Sequence, residues 1–173
     1  MVLRNIVLII MVLIASVSRL IPHPPNFTPI IAIGLFGGAY IKNRSLAVFI
    51  PIGAMFLSDL LLGLHGTIYW VYGSLLLVSI LGMLLMNKVT IRNCVAAALS
   101  GSLFFFFITN FGVWLNSSYY AYNINGIITC YTLALPFLGN TLAGSLFYSA
   151  VMFGGYELLK WTVIQSAPES VQK

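Results

Sequence analysis

Long apolar segments separated by short basic turns run through this chain, and they constrain its fold more than any other feature. Eight Lys/Arg and three Asp/Glu make up only 6% of its 173 residues, whereas a soluble domain carries about 25% charged residues. So little polar surface cannot coat a water-soluble globule, and the same composition excludes disorder. The sequence therefore predicts an all-α membrane protein, with one transmembrane domain over residues 1–164 and a polar cytoplasmic tail over 165–173.

Seven apolar segments can be distinguished, and we expect six of them to cross the bilayer as a six-helix bundle. The six are residues 5–21, 29–41, 46–64, 68–86, 94–115 and 140–164. A stiff loop is expected over residues 22–29, because four prolines in eight residues do not fit in a regular helix. Residues 126–138 are short and end near Pro136 and Gly139, so we expect them to form an extra outer segment that does not cross.

Two of these segments have features that bear on their interpretation. Residues 5–21 could belong to a signal peptide with small residues near Ser16, but the apolar run continues to Ile21, and we read an uncleaved helix. Residues 29–41 are short for an upright span, and they contain Gly34 and Gly38. This small-residue spacing predicts close contact with a neighbouring helix.

The distribution of Lys and Arg predicts the orientation in the membrane. With six crossings and the N-terminus inside, only Arg19 lies outside. The inside residues are Arg4, Lys42, Arg44, Lys88, Arg92, Lys160 and Lys173. By the positive-inside rule, we expect a multi-pass protein of the bacterial cytoplasmic membrane with both termini in the cytoplasm. The cations are spread over loops rather than clustered, so they do not indicate nucleic acid as a partner.

Most of the unusual polar side chains fall at the predicted outer end of the bundle. Asp59 is the only acid in the first 156 residues, Arg19 is the only outer cation, and both stand at comparable depth. We therefore expect an Arg19–Asp59 salt bridge, which is compatible with a polar floor for a ligand cavity. The expected ligand-binding residues are Arg19, His23, Asn26, Asp59, His65, Tyr69, Asn110, Trp114 and Tyr119.

Catalytic and metal chemistry have little support in the sequence. Ser58 and Asp59 are adjacent and cannot face each other on a helix, and no phosphate-binding or dinucleotide-binding motif is present. His23 and His65 are either plain loop residues or ligands to a metal-centred compound. Two histidines without a nearby Cys or second acid make a poor metal site. We expect no enzyme activity, no metal and no cofactor, and we expect Cys94 and Cys130 to be two separate thiols.

Several motifs together resemble an uncharacterised family of bacterial integral membrane proteins built around an N-F-T-P motif. They are Asn26-Phe27-Thr28-Pro29 within residues 19–29, the run Leu35–Ala39, Ser58-Asp59 followed by Gly63 and His65, Thr109–Trp114, and Cys130–Phe137. The resemblance covers residues 19–155. The family brings no established activity.

In architecture, the chain looks like the substrate-binding S-components of energy-coupling factor (ECF) transporters, and the solitary cobalamin-transporting group is closest in layout. S-components are small six-helix proteins that bind a vitamin in an outward-facing cavity. The resemblance implies binding and uptake of a vitamin or cofactor precursor, with ECF-type coupling subunits or with none. Cobalamin or a fragment of it, with His65 or His23 on cobalt, is the ligand it suggests. The alternatives are a membrane accessory or structural subunit, or an intramembrane enzyme, without transport activity.

Overall fold

The computed structural model of the chain describes residues 2–64, 66–86 and 88–161, and all regular structure in these ranges is helical. The helices are α1 (Val2–Val17), α2 (Ile30–Tyr40), α3 (Arg44–Leu62), α4 (Ile68–Leu85), α5 (Ile91–Asn116) and α6 (Ile124–Leu159), with a 3₁₀ turn at Ser18–Leu20. All except α2 are long and apolar enough to cross a bilayer. The chain is therefore an all-α, multi-pass membrane protein. The predicted tail at 165–173 lies outside the described residues.

Helix α2 differs from the predicted spans because it has only 11 residues. At about 1.5 Å per residue it covers roughly 16 Å, which is half of a hydrocarbon core of about 30 Å. Six full spans are thus not confirmed, and the bundle consists of five long helices around one short helix. Every residue from Ile30 to Gly38 is buried, as expected for a helix that is hydrophobic all round. Helix α2 contacts each of the other five α-helices.

Helices α1 and α3 run in the same direction, so the chain between them must return from one end of the bundle to the other. Near their N-terminal ends, Arg4 and Leu46 border the same small cavity. Towards their C-terminal ends, Ser16 Oγ donates a hydrogen bond to the carbonyl of Ala54. The return begins with the proline-rich loop at residues 21–29, which is non-helical as predicted, and it is completed by α2.

The backbones of α2 and α4 are in direct contact through glycines. A Cβ atom added to Gly38 would lie 2.8 Å from the Met83 nitrogen, and one added to Gly82 would lie 2.7 Å from the Leu35 carbonyl oxygen. At Gly34 an added Cβ would lie 2.9 Å from the Leu75 side chain. At Gly38 and Gly82 no side chain larger than hydrogen fits without movement of the backbone, while at Gly34 the Leu75 side chain would have to move. The close approach predicted from the spacing of Gly34 and Gly38 is confirmed.

The last helix corrects a sequence-based prediction. Residues 126–138 are not a separate outer segment, because α6 is continuous over 36 residues and contains both Pro136 and Gly139. Its length of roughly 54 Å exceeds the hydrocarbon thickness. Proline removes one helical hydrogen bond, but membrane helices tolerate this loss when neighbouring groups compensate for it. The helix therefore continues through Pro136, where the sequence predicted that it would end.

Every described Lys and Arg except Arg19 lies at one end of the bundle, which we name the basic end. These residues are Arg4, Lys42, Arg44, Lys88, Arg92 and Lys160. Tyr40, which ends α2, donates a hydrogen bond to Glu157 of α6 at 2.7 Å, and Glu157 borders the same cavity as Thr90. We call the end that carries Arg19 the opposite end. The predicted grouping of cations is found, while the cytoplasmic position of the basic end stays a prediction.

The glycine contact between α2 and α4 predicts a large steric effect of a single methyl group. Gly38→Ala should lower the apparent melting temperature in detergent, with a loss of about 1–3 kcal/mol from overpacking. Gly53→Ala in α3 is the matched control, because no heavy atom lies within 4 Å of its added Cβ. The control should be neutral or slightly stabilising, since alanine favours helix. Equal melting temperatures for the two variants would contradict the packing described here.

The orientation is tested by accessibility labelling in a background without Cys94 and Cys130. Ser45→Cys, at the basic end, and Ser118→Cys, in the loop between α5 and α6, are both at exposed positions. In intact cells, a membrane-impermeant maleimide should label position 118 and spare position 45 until the membrane is opened. Labelling of position 45 from outside would reverse the predicted topology.

Candidate ligand-binding site

A buried ion pair connects the C-terminal ends of α1 and α3 at the opposite end of the bundle. Arg19 lies in the 3₁₀ turn that follows α1, and Asp59 lies in the last turn of α3. The Arg19 Nη1 atom is 2.6 Å from Asp59 Oδ1, and the two side chains are 10% and 1% exposed. This confirms the predicted salt bridge.

Further hydrogen bonds complete the surroundings of the ion pair. The Tyr72 hydroxyl of α4 donates to Asp59 Oδ2 at 2.7 Å, and Arg19 Nη1 also donates to Ser58 Oγ. Both carboxylate oxygens therefore have a partner, which is what a buried charge requires. The network fixes three helices relative to each other.

Arg19 also borders a cavity of about 320 Å³ at this end of the bundle. Its polar lining is formed by Arg19, Asn26, Thr28, Thr67, Thr109, Asn110 and Thr141. Its apolar lining is formed by Ile30, Ile31, Val71, Phe105 and Val113. The start of α2 forms part of the wall, so the cavity occupies the space that a full-length second helix would have filled.

The polar groups of the wall are arranged to accept hydrogen bonds. Thr109 Oγ1 donates to the Phe105 carbonyl at 2.7 Å, and Thr141 Oγ1 donates to the Phe137 carbonyl at 2.8 Å. Asn110 Nδ2 likewise donates one hydrogen bond to the Phe106 carbonyl at 2.8 Å. The two threonine hydroxyls therefore have only their lone pairs left for a ligand, while Asn110 can offer its carbonyl oxygen and its second N–H.

The Arg19 side chain is the cationic part of the wall, and its charge is compensated by Asp59. Its Nε atom is buried and has no hydrogen-bond partner among the described residues. The cavity is therefore close to neutral overall, with several acceptors and with further N–H donors at Arg19 and Asn110.

A second cavity of about 310 Å³ adjoins the first, since both are bordered by Asn26, Asn110 and Val113. Tyr120 of the loop between α5 and α6 and Cys130 of α6 are among its other lining residues. Burial, followed by the neighbouring Cys130 thiol, raises the pKa of Tyr120. Tyr120 is accordingly a neutral phenol at physiological pH.

Helix α6 holds the proline-rich loop in place over the cavity. Phe27 packs against Phe147 and Tyr148, with ring centroids 5.7 and 5.9 Å apart. The Asn140 side chain donates a hydrogen bond to the Pro25 carbonyl at 2.9 Å. A Cβ at Gly144 would lie 3.0 Å from the Thr28 nitrogen, so the loop backbone rests directly on α6. These contacts position Asn26 and Thr28 at the cavity wall.

Three of the nine predicted site residues, Arg19, Asn26 and Asn110, line the cavity. Asp59 is not a lining residue, but it forms an ion pair with the lining residue Arg19. His65 lies outside the described residues. The other four predicted residues are not on the wall of either cavity: His23, Tyr69, Trp114 and Tyr119.

The environments of these four explain their positions. Tyr69 and Tyr119 are 83% and 87% exposed, as is usual for aromatic residues at a membrane interface. Trp114 uses its indole N–H for the Ala121 carbonyl at 3.1 Å. His23 is an exposed loop residue whose Nδ1 lies 2.6 Å from the Ile21 oxygen.

The threonines that supply much of the polar wall were not among the predicted site residues. A single threonine in an apolar helix is a weak signal because its hydroxyl can bond to the preceding turn, as Thr109 and Thr141 do. The available hint was their number, since Thr28, Thr67, Thr109 and Thr141 all fall towards the same predicted end. Among the described residues, no group of three or more His, Cys, Asp or Glu side chains could hold a metal ion.

Substitutions in the ion-pair network should lower the free energy of unfolding by different amounts. Asp59→Ala should cost about 3–5 kcal/mol, because it leaves a buried guanidinium without a counter-charge. Asp59→Asn should also lower thermal stability for the same reason. Tyr72→Phe should cost about 1.5–3 kcal/mol, because it removes one hydrogen bond to a charged group and leaves the ion pair in place.

The double variant Arg19→Met with Asp59→Leu serves as the control, since it removes both charges together. It should be more stable than Asp59→Ala alone. Thermal unfolding of all four variants in one detergent provides the measurement. A double variant no more stable than Asp59→Ala would show that the charge pair is not what these substitutions disturb.

Comparison with known proteins places the chain in a family without assigning it an activity. No curated protein and no solved structure matches the chain. The model of one protein family, described as a family of unknown function (DUF6580), matches residues 1–168. Since the match extends over almost the whole sequence, the chain belongs to this family.

Proposed function

We propose that the protein binds a small, neutral, polar solute in the cavity beside Arg19 and takes part in its uptake across the cytoplasmic membrane. The observation that carries this proposal is the cavity itself, a polar-lined space enclosed by apolar helices. Polar side chains are costly inside a membrane protein and commonly mark a binding site or pathway. Arg19 has a structural partner in Asp59, but the packing of apolar helices does not require two asparagines and four threonines around one space.

The chemistry of the wall narrows the class of ligand. Ligand cavities commonly have volumes of about 300–1,000 Å³, and the cavity of about 320 Å³ lies at the lower end of this range. Because Asp59 compensates Arg19, the described residues of the wall supply no free cation to favour an anion. The acceptors at Thr109, Asn110 and Thr141 favour a ligand that carries O–H or N–H donors.

These features favour a vitamin-like solute or cofactor precursor smaller than cobalamin. A corrin is far larger than either cavity, and His23 is not on the wall of either one. The second cavity, of about 310 Å³, offers room for an apolar part of the ligand against Leu133 and Phe137.

The proposed mechanism follows that of ECF S-components. The loop at residues 21–29 separates from α6 to admit the solute from the outside, and it then closes over the bound solute again. Release to the inside requires either reorientation of the bundle or a coupling partner. No nucleotide-binding motif is present in the sequence, so an energy source would come from a separate ATPase module. A solitary carrier that equilibrates its solute would need no such module.

Binding is tested with a pair of matched threonine variants. Thr109 lines the cavity, whereas Thr129 is exposed on α6, and each donates to the carbonyl four residues earlier at 2.7 Å. Thr109→Val should weaken binding about two- to tenfold through the loss of one hydrogen bond. Thr129→Val makes the same local change away from the cavity and should bind as the parent does.

The ligand is first identified by mass spectrometry of small molecules that copurify with the parent protein, and its affinity is then measured by calorimetry. If no solute copurifies, and a panel of vitamins and precursors does not bind, the proposal fails. The accessory-subunit alternative then becomes the better explanation. Equal affinity of both threonine variants for a solute that does bind would place its site elsewhere.

A further inference from the structure

A separate cavity of about 440 Å³ lies at the basic end, between the first turns of α5 and the last turns of α6. Most of its wall is apolar, with Val89, Ile91, Val95, Leu146 and Phe153 among the lining residues. Ile91 and Val95 are exposed on the outer surface of the bundle. The cavity is therefore a groove that is open to the surrounding bilayer, and we name it the α5–α6 groove.

One polar atom in the groove has no partner. Ser149 lines the groove and is only 3% exposed, and its Oγ atom makes no hydrogen bond within the described part of the chain. Other buried serines of the bundle donate to a backbone carbonyl one turn earlier, as Ser79 and Ser102 do. A buried hydroxyl without an acceptor carries a free-energy cost, which a ligand carbonyl in the groove would remove.

Two basic residues are sequence neighbours of the residues that line the mouth of the groove. Lys88 and Arg92 flank the lining residues 89–91, and neither takes part in an ion pair among the described residues. The acidic lining residue Glu157 is compensated, because Lys160 pairs with it at 3.1 Å and the Tyr40 hydroxyl donates to its other oxygen. The net charge available to a ligand at this mouth is therefore positive.

We propose that the α5–α6 groove binds one phospholipid with an anionic headgroup. An acyl chain fills the apolar groove, the ester carbonyl accepts a hydrogen bond from Ser149, and the phosphate lies near Lys88 and Arg92. Basic sites at the ends of membrane helices bind anionic headgroups in this way. A lipid is favoured over a protein partner because the groove opens to the bilayer and combines an apolar interior with cations at its mouth. The proposal does not depend on the solute cavity at the opposite end.

The test uses glycine variants that fill the groove without disturbing the backbone. Gly154 lines the groove, and an added Cβ would meet no heavy atom within 4 Å. Gly139 of the same helix is equally open but does not line the groove. The proteins are reconstituted with equal amounts of phosphatidylglycerol and phosphatidylcholine, and the retained lipid is counted by native mass spectrometry. The parent and Gly139→Leu should retain one phosphatidylglycerol, and Gly154→Leu should lose it.

Charge and hydroxyl variants separate the parts of the site. Arg92→Gln should lower the preference for phosphatidylglycerol over phosphatidylcholine about fivefold, as expected for one cation near the headgroup. Lys42→Gln, at the same end but away from the groove, should leave the preference unchanged. Ser149→Ala should weaken retention of both lipids without changing the preference. Melting temperatures of all variants identify any that fail to fold.

Three results would overturn the proposal. The first is retention of lipid by folded Gly154→Leu at the level of the parent. The second is an equal shift of lipid preference in Arg92→Gln and Lys42→Gln, which would indicate attraction to the whole basic end. The third is a parent protein that is a dimer without bound lipid and that becomes a monomer in Gly154→Leu. The groove would then be an interface between two copies of the chain.

Discussion

The buried short helix α2 is the constraint on which the rest of the bundle depends. It contacts the five other α-helices, and its backbone approaches that of α4 so closely that Gly38 and Gly82 have no room for a side chain. In lipid, such close packing replaces the hydrophobic driving force that water supplies to soluble cores. Because α2 begins only at Ile30, the bundle interior at the opposite end is filled by a loop instead of a helix. The cavity beside Arg19 lies in this space.

The Arg19–Asp59 pair links this architecture to the chemistry of the cavity. A buried pair is weak evidence of net stabilisation, since desolvation offsets much of the attraction, but it fixes the ends of α1 and α3 at one geometry. The same pair presents a guanidinium to the cavity wall after Asp59 has cancelled its charge. A structural contact thus determines that the wall is polar and nearly neutral.

The sequence was sufficient to predict what depends on hydrophobicity and charge balance. The all-α class and the grouping of cations follow from the long apolar segments and the distribution of Lys and Arg. The proline-rich loop follows from the helix-breaking geometry of proline, and the Arg19–Asp59 contact follows from the cost of an unpaired charge in lipid. It was not sufficient where tertiary packing decides. Whether Pro136 ends a helix depends on what neighbouring helices offer its freed backbone groups. Similarly, Tyr69 and Tyr119 are residues of a type often found in binding sites, but both are exposed, as aromatic residues at a membrane interface usually are.

Helix α6 connects the two ends of the molecule, since Thr141 lines the cavity beside Arg19 and Ser149 lines the α5–α6 groove. These two residues are about 12 Å apart along one helix. Gly144, between them, supports the backbone of the loop at residues 21–29. Given the two proposed ligands, any shift of α6 that accompanies closure of this loop would also change the shape of the groove. Linkage is reciprocal for binding free energies, so a lipid that favours one position of α6 must change solute affinity by the same factor by which the solute changes lipid affinity.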